Sequence, residues 1–160
     1  MAQEIERKFL TSGDSWKKDV VSSSRIIQGY LTAAGTTVRV RVRENEAFLT
    51  IKSKAVGITR SEYEYPIPVS EAQEMLENLA LDPPIDKTRY IVPAGNGLYW
   101  EVDEYYGANA PLFTAEIELP TEDTAFVVPA WLGREISDDS RYTNRALSRK
   151  PYSLWQEDER

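Results

Sequence analysis

At 160 residues, with 41% hydrophobic and 11% aromatic side chains, the chain has the size and apolar content of one folded domain over residues 1–160. Its 19 basic and 26 acidic residues leave a net charge of −7, which argues against broad nucleic-acid binding. It has no Cys and no His, so disulfides, thiol nucleophiles, the usual zinc sites and a histidine base are excluded. An active site here has to be built from carboxylates, Lys, Arg, Tyr and hydroxyls.

The chain opens on Glu4-Ile5-Glu6-Arg7-Lys8, with charges where a leader peptide needs an apolar stretch. No run approaches the length of about 18 apolar residues that a membrane span requires. The expectation is a soluble cytoplasmic protein with no membrane partner. Alternation of charged and apolar residues predicts strands at 3–10, 25–33, 37–44, 47–54, 59–67, 86–93, 98–105 and 112–119. Breakers separate them at Ala34-Gly35, Glu44-Asn45-Glu46, Val56-Gly57, Pro83-Pro84, Gly95-Asn96-Gly97 and Gly107 to Pro111. Between strands, Asp14-Ser15-Trp16 starts a short helix. Ser70-Glu71-Ala72-Gln73 reads as a capping box for a second, whose apolar face is Met75, Leu76 and Leu79. Thr121-Glu122-Asp123 caps a third, and a last helix runs from Asp139 to Ser148. The class is α+β, with an antiparallel sheet.

Spacing by two puts the charges of each strand on one face. That face carries Glu4, Glu6 and Lys8, then Arg39, Arg41 and Arg43, then Lys52 and Lys54, then Glu62 and Glu64. It continues with Lys87 and Arg89, Glu101 and Asp103, and Glu116 and Glu118. The opposite face carries Ile5, Phe9, Val38, Val40, Val42, Leu49, Ile51, Tyr63, Tyr65, Tyr90, Val92, Trp100, Val102, Ile117 and Leu119. A charged face can simply be solvated. An eight-stranded sheet, however, removes its exposed edges by closing into a barrel. Closure with the charged face inward gives a lumen of both signs, and burying such charges costs stability unless they pair or bind something. A polyanion for the cations and a divalent metal for the carboxylates uses both sets.

In their order along the chain these residues resemble the CYTH superfamily, the triphosphate tunnel metalloenzymes. Glu4-Ile5-Glu6-Arg7-Lys8 is similar to its ExExK signature. The likeness continues through Gln28-Gly29-Tyr30-Leu31, Val38-Arg39-Val40-Arg41, Leu49 to Lys54, Glu62-Tyr63-Glu64, Asp86 to Tyr90, Trp100 to Asp103, Ala115 to Glu118 and Ser140 to Asn144. The resemblance implies a closed eight-stranded antiparallel tunnel with short helices outside, binding a triphosphate and Mg²⁺ or Mn²⁺. Among the family's activities it points to metal-dependent hydrolysis of inorganic triphosphate to pyrophosphate and phosphate. Thiamine triphosphatase, adenylate cyclase and a non-catalytic polyphosphate-binding module are the alternatives. No His-containing extension precedes Glu4, a departure from the cyclase branch.

The resemblance assigns substrate binding to Lys8, Arg39, Arg41, Lys52, Lys87 and Arg89. Arg grips phosphate oxygens in bidentate fashion and Lys acts as a point charge. Arg43, Lys54 and Arg60 share the parity but lie nearer strand ends, where surface pairing is expected. The metal set is Glu4, Glu6 and Glu118 first, then Glu116, Asp103 and Glu62, with Glu64 a further candidate and Glu101 a rim residue. The catalytic set is Lys87, Tyr30 and Lys8. Neighbouring cations should lower the pKa of both Lys87 and Tyr30 and make that pair a base. Outside strands left without helix cover would allow a homodimer.

Overall fold

A computed structural model describes residues 3–160; Met1 and Ala2, from which the leader reading began, lie outside the described residues. Nine strands form one sheet: β1 (Gln3–Thr11), β2 (Ser22–Tyr30), β3 (Thr37–Arg43), β4 (Glu46–Lys52), β5 (Thr59–Ile67), β6 (Ile85–Gly95), β7 (Leu98–Tyr105), β8 (Phe113–Glu118) and β9 (Leu132–Glu135). Their order is β5-β4-β3-β2-β6-β7-β8-β1-β9, and every pairing is antiparallel. β1 closes the barrel because its two halves have different partners. Gln3–Ile5 pairs with β5, while Glu6–Leu10 pairs with β8. The result is a closed eight-stranded barrel with β9 added beside the second half of β1.

Most of the charges that share a strand face turn inward, so the apolar core lies outside the barrel. Over β1, β6, β7 and β8, Phe9, Val92, Trp100, Val102 and Ile117 pack with Trp16 and Trp131. Edge-on aromatic contacts join Trp100 to Phe126 at 5.6 Å and to Trp131 at 5.5 Å. Helix α1 (Val69–Asn78) covers β3 and β4 through Ala72, Met75 and Leu76 against Val40, Ala47 and Leu49. Tyr63 and Tyr65 on β5 are left uncovered. Helix α2 (Asn144–Arg149) and the turns around it close one barrel end, packing Tyr142, Leu147 and Trp155 on Tyr30, Ile85 and Tyr105. Among the described residues no helix is long and apolar enough to cross a membrane.

Local chemistry departs from expectation in four places. Ser70 lies inside α1, whose N-cap is Pro68 with no side-chain cap bond, so the capping box does not form. The helix expected from Asp14 is a 3₁₀ turn over Ser15–Asp19. Thr121 makes a hydroxyl turn with Asp123 and Thr124, and no helix follows. Asp139 to Ser148 splits into a 3₁₀ turn at Ser140–Tyr142 and α2, because Thr143 is extended and caps the new helix with its hydroxyl on the Ala146 N–H. Strand β9 was not expected, since four residues including a glycine carry too little periodicity.

Candidate active site

The inward side chains surround a cavity of about 230 Å³. Lys8, Arg39, Arg41, Lys52, Arg60 and Arg89 line it together with Glu4, Glu6, Glu101, Glu116 and Tyr30. The C-terminal segment supplies Tyr142, Asn144 and Arg145 over the same space. Those last residues came from no strand parity; Ser140 to Asn144 was matched only as a motif, and what brings it to the cavity is Tyr105 donating to Asn144 Oδ1 at 2.7 Å.

Three ion-pair groups organise the lumen. At the barrel seam, Lys52 Nζ reaches Glu4 Oε1 at 2.9 Å and Oε2 at 3.1 Å, and Arg60 Nε reaches Glu4 Oε1 at 3.2 Å. Arg60 also approaches Glu6 at 3.7 Å. The expectation that Arg60 pairs at the surface is therefore corrected: it stands opposite Glu4 in the β1–β5 ladder and faces inward. Arg43 does pair at the surface, with Glu46 at 3.7 Å, and Lys54 lies exposed beyond the end of β4. In the second group, Lys8 Nζ donates to the Tyr142 carbonyl at 2.8 Å and approaches Glu116 at 3.7 Å.

The third group lies deepest. Asp103 is fully buried and accepts from Lys87 Nζ at 2.7 Å, Arg89 Nε at 2.9 Å and Arg89 Nη2 at 3.0 Å. Both its oxygens are taken and it does not line the cavity. That geometry makes it the counter-ion beneath the cavity, in place of the metal-facing donor expected from its parity. Burial raises the Asp103 pKa, but Arg89 and Lys87 outweigh it and hold the carboxyl at about 2. Lys87 is equally sealed. Burial lowers its pKa to about 7, against Asp103 and with help from Arg89 and Arg41.

Tyr30 departs from expectation. Its pKa is raised, because burial outweighs Arg39 and Arg41. Its oxygen accepts from Gln28 Nε2 at 2.7 Å, and Gln28 Oε1 accepts from Arg41 Nε at 2.8 Å. Lys87 and Tyr30 therefore have separate hydrogen-bond partners. Arg39 bonds Thr50 at 3.3 Å and approaches Glu64 at 3.8 Å, while its buried Nε has no partner among the described residues. A buried cation with an unused donor, beside another bonded only to an amide, is suited to an anion arriving from the cavity.

The carboxylates meet in pairs. Burial raises the Glu6 pKa, and Glu116 and Glu4 raise it further; against its own burial, Lys8 and the hydrogen bond with Glu6 lower that of Glu116. Burial and the bond to Glu4 likewise push Glu62 up to about 7; against its own burial, that bond and Lys52 hold Glu4 at about 2. A carboxyl pair of this kind holds either a proton or a cation. Among the described residues no three candidate ligands converge. One or two carboxylates with water and phosphate oxygens are how magnesium is commonly held, and the all-oxygen donor set fits Mg²⁺ or Mn²⁺. Glu118, expected among the first metal ligands, is exposed and, like Glu62, lies outside the cavity lining.

A closed antiparallel barrel with cations and paired carboxylates converging inside it defines a class of protein built to hold a polyanion in its lumen. Residues 2–148 match the CYTH domain model, and the chain belongs to that family. It is 46% identical over 158 residues to an inorganic triphosphatase of Acetivibrio thermocellus, covering 98% of this chain and all of that one. It is 37% identical to an inorganic triphosphatase of Nitrosomonas europaea, covering 91% of this chain and 96% of the relative. A crystal structure of an inorganic triphosphatase superposes with a TM-score of 0.66 at 35% identity, covering 96% of this chain and 99% of the other.

Proposed function

We propose that this protein hydrolyses inorganic triphosphate to pyrophosphate and orthophosphate inside the barrel. The observation that carries the reading is the ring of Lys8, Arg39, Arg41, Lys52 and Arg89 around one cavity, in a chain similar over nearly its whole length to inorganic triphosphatases. A triphosphate brings roughly four to five negative charges, which such a ring neutralises while the guanidiniums fix its oxygens in place.

In the reaction, a water oxygen bonds to the terminal phosphorus as the bridging P–O bond breaks, and the bridging oxygen leaves on pyrophosphate. Positioning and charge neutralisation supply most of the acceleration in such transfers. Tyr30 keeps its proton and accepts from Gln28, so its O–H is left to donate toward a phosphoryl oxygen or the attacking water. Lys87, held at about 7 and sealed with Asp103 beneath the cavity, is the acceptor we assign to the water proton, which has to reach it through the groups that line the cavity; Asp103 stabilises the ammonium that forms. A divalent cation, Mg²⁺ or Mn²⁺, held at Glu6 and Glu116 with Glu4 beside them, would neutralise phosphoryl charge when bound.

The test is phosphate release from inorganic triphosphate, ATP and thiamine triphosphate, each with Mg²⁺, with Mn²⁺ and in excess EDTA. Turnover of inorganic triphosphate that EDTA abolishes is the expected outcome. No turnover of any of the three would overturn the reading, and full turnover in EDTA would remove the metal from it.

A further inference from the structure

Most cations on the cavity wall are balanced by the fold itself. Lys8, Arg39, Lys52, Arg60 and Arg89 each have a carboxylate within 4.0 Å. Arg41 is buried and bonds Gln28. Arg145 differs from all of these, because it reaches the cavity from α2 and from no strand. Its Nη1 donates to Thr32 Oγ1 at 3.1 Å and its Nη2 to the Gly35 carbonyl at 3.3 Å, both in the turn between β2 and β3. Both acceptors are neutral, and no ion pair joins Arg145 to a carboxylate among the described residues. Acids are not scarce in this chain, with 26 against 19 bases. Arg149, four residues further along α2 and outside the cavity lining, does pair, with Asp82 at 3.7 Å.

Resting on the function proposed above, we propose that Arg145 binds a phosphate group of the substrate at the end of the cavity that α2 covers. A half-buried guanidinium on the wall of a polyanion cavity, with no anion of its own, keeps its charge for one that arrives. Two of its five N–H groups are used by Thr32 and Gly35, and three remain. The two bonds hold the planar fork in place without neutralising it, so less freedom is lost when phosphate oxygens bind. Guanidinium–phosphate bonds are charge-assisted and roughly twice as strong as neutral ones. The ends of a triphosphate also carry more charge than its middle, which suits a cation placed at one end of the cavity.

Such a contact is made before and during the reaction alike, so its loss raises KM and leaves kcat nearly unchanged. The experiment is calorimetric titration of inorganic triphosphate, in EDTA and over a series of KCl concentrations. The proteins are wild type, Arg145→Gln, Arg145→Lys and Arg149→Gln, with circular dichroism to check folding. Arg145→Gln should bind about tenfold more weakly and with a shallower salt dependence, and Arg145→Lys should fall between it and wild type. Arg149→Gln removes the same charge from the same helix and should bind within about twofold of wild type. With Mg²⁺, the KM of Arg145→Gln should rise about tenfold while kcat stays within about threefold. Weaker binding with an unchanged salt dependence would make Arg145 a latch on the β2–β3 turn and overturn the proposal. An equal loss in Arg149→Gln would assign the effect to long-range charge and overturn it too, as would undiminished binding in Arg145→Gln or no binding by wild type. If Arg145→Gln does not fold, Arg145→Lys decides, and wild-type affinity in that variant overturns the proposal. The expected binding pattern in a wild type that hydrolyses no triphosphate would keep this inference and sink the functional reading.

Discussion

Lys87 and Asp103 meet at 2.7 Å with neither side chain reaching solvent, so the titration of one is felt by the other. Because the folded state holds Lys87 at about 7, below the ordinary Lys value of 10.5, it binds fewer protons than the unfolded chain between those two pH values. Stability from this group consequently rises with pH across that window, and its penalty is complete below about 7. Lys87→Met should flatten that part of a urea-denaturation series taken between pH 7 and 10. If Lys87 takes the water proton, the same substitution should lower kcat by about a hundredfold or more, the size of a lost general base. A Lys87→Met enzyme with near-normal turnover would remove the residue from the chemistry. Tyr30 behaves oppositely, since burial keeps its phenol protonated. Tyr30→Phe should leave the pH–rate profile in place and lower turnover by about tenfold or less, the scale of one neutral hydrogen bond; a shifted limb in that profile would show that the phenol titrates in the reaction.

At the scale of elements, the seam between β1 and β5 is the least paired part of the barrel and concentrates carboxylates. Among the described residues only Gln3–Ile5 of β1 ladders with β5, and Glu4 and Glu62 are hydrogen-bonded just beside that ladder. With its folded value raised to about 7 from 4.5, Glu62 favours the folded state most at low pH, and that contribution is lost as pH rises through 7. Glu62→Gln imitates the protonated form. Without added metal it should be more stable than wild type at pH 8 by about 1–2 kcal/mol, with little difference at pH 4, as measured by chemical denaturation. Equal stability at both pH values would show that the pair is not proton-linked. Another contact between elements rests on Gly29 of β2, where a Cβ would come to 2.8 Å of Leu76 Cδ2 and 3.2 Å of Ala80 Cβ. Gly29→Ala should therefore push the C-terminal end of α1 off the barrel and cost about 1–3 kcal/mol, seen as a lower Tm. An unchanged Tm would mean that α1 yields freely.

For the whole molecule, burying the charged face and exposing the apolar one to a coat of helix, turns and aromatic rings decides the substrate. The cavity of about 230 Å³ is walled mainly by cations, carboxylates and Tyr30, and the end that α2 and its flanking turns cover adds Tyr142 and Asn144. A phosphate chain gains every contact there, whereas a nucleoside carried on it finds few groups placed to bind it in the transition state. The expected outcome is a kcat/KM for inorganic triphosphate at least about a hundredfold above that for ATP under one metal condition, a gap of roughly 3 kcal/mol in transition-state binding. ATP matched to triphosphate would move the substrate assignment while leaving the tunnel intact.

Period-two patterning was enough to place eight strands and to show which residues share a face, because side-chain alternation is a property of each strand alone. Val38 to Arg43 and Leu49 to Lys52 illustrate this: Arg39, Arg41 and Lys52, which patterning set apart from the valines, Leu49 and Ile51, line the cavity, while Arg43 at the strand end pairs at the surface. Pairing partners were beyond its reach, since they depend on which strands meet. The fold alone brought Arg60 against Glu4, sealed both oxygens of Asp103 under Lys87 and Arg89, and carried Tyr142 and Asn144 from the end of the chain onto the cavity. Protonation followed from the same source. Counting nearby cations lowers Tyr30, but the depth of its burial sets the sign, and burial exists only once the chain has folded around the side chain.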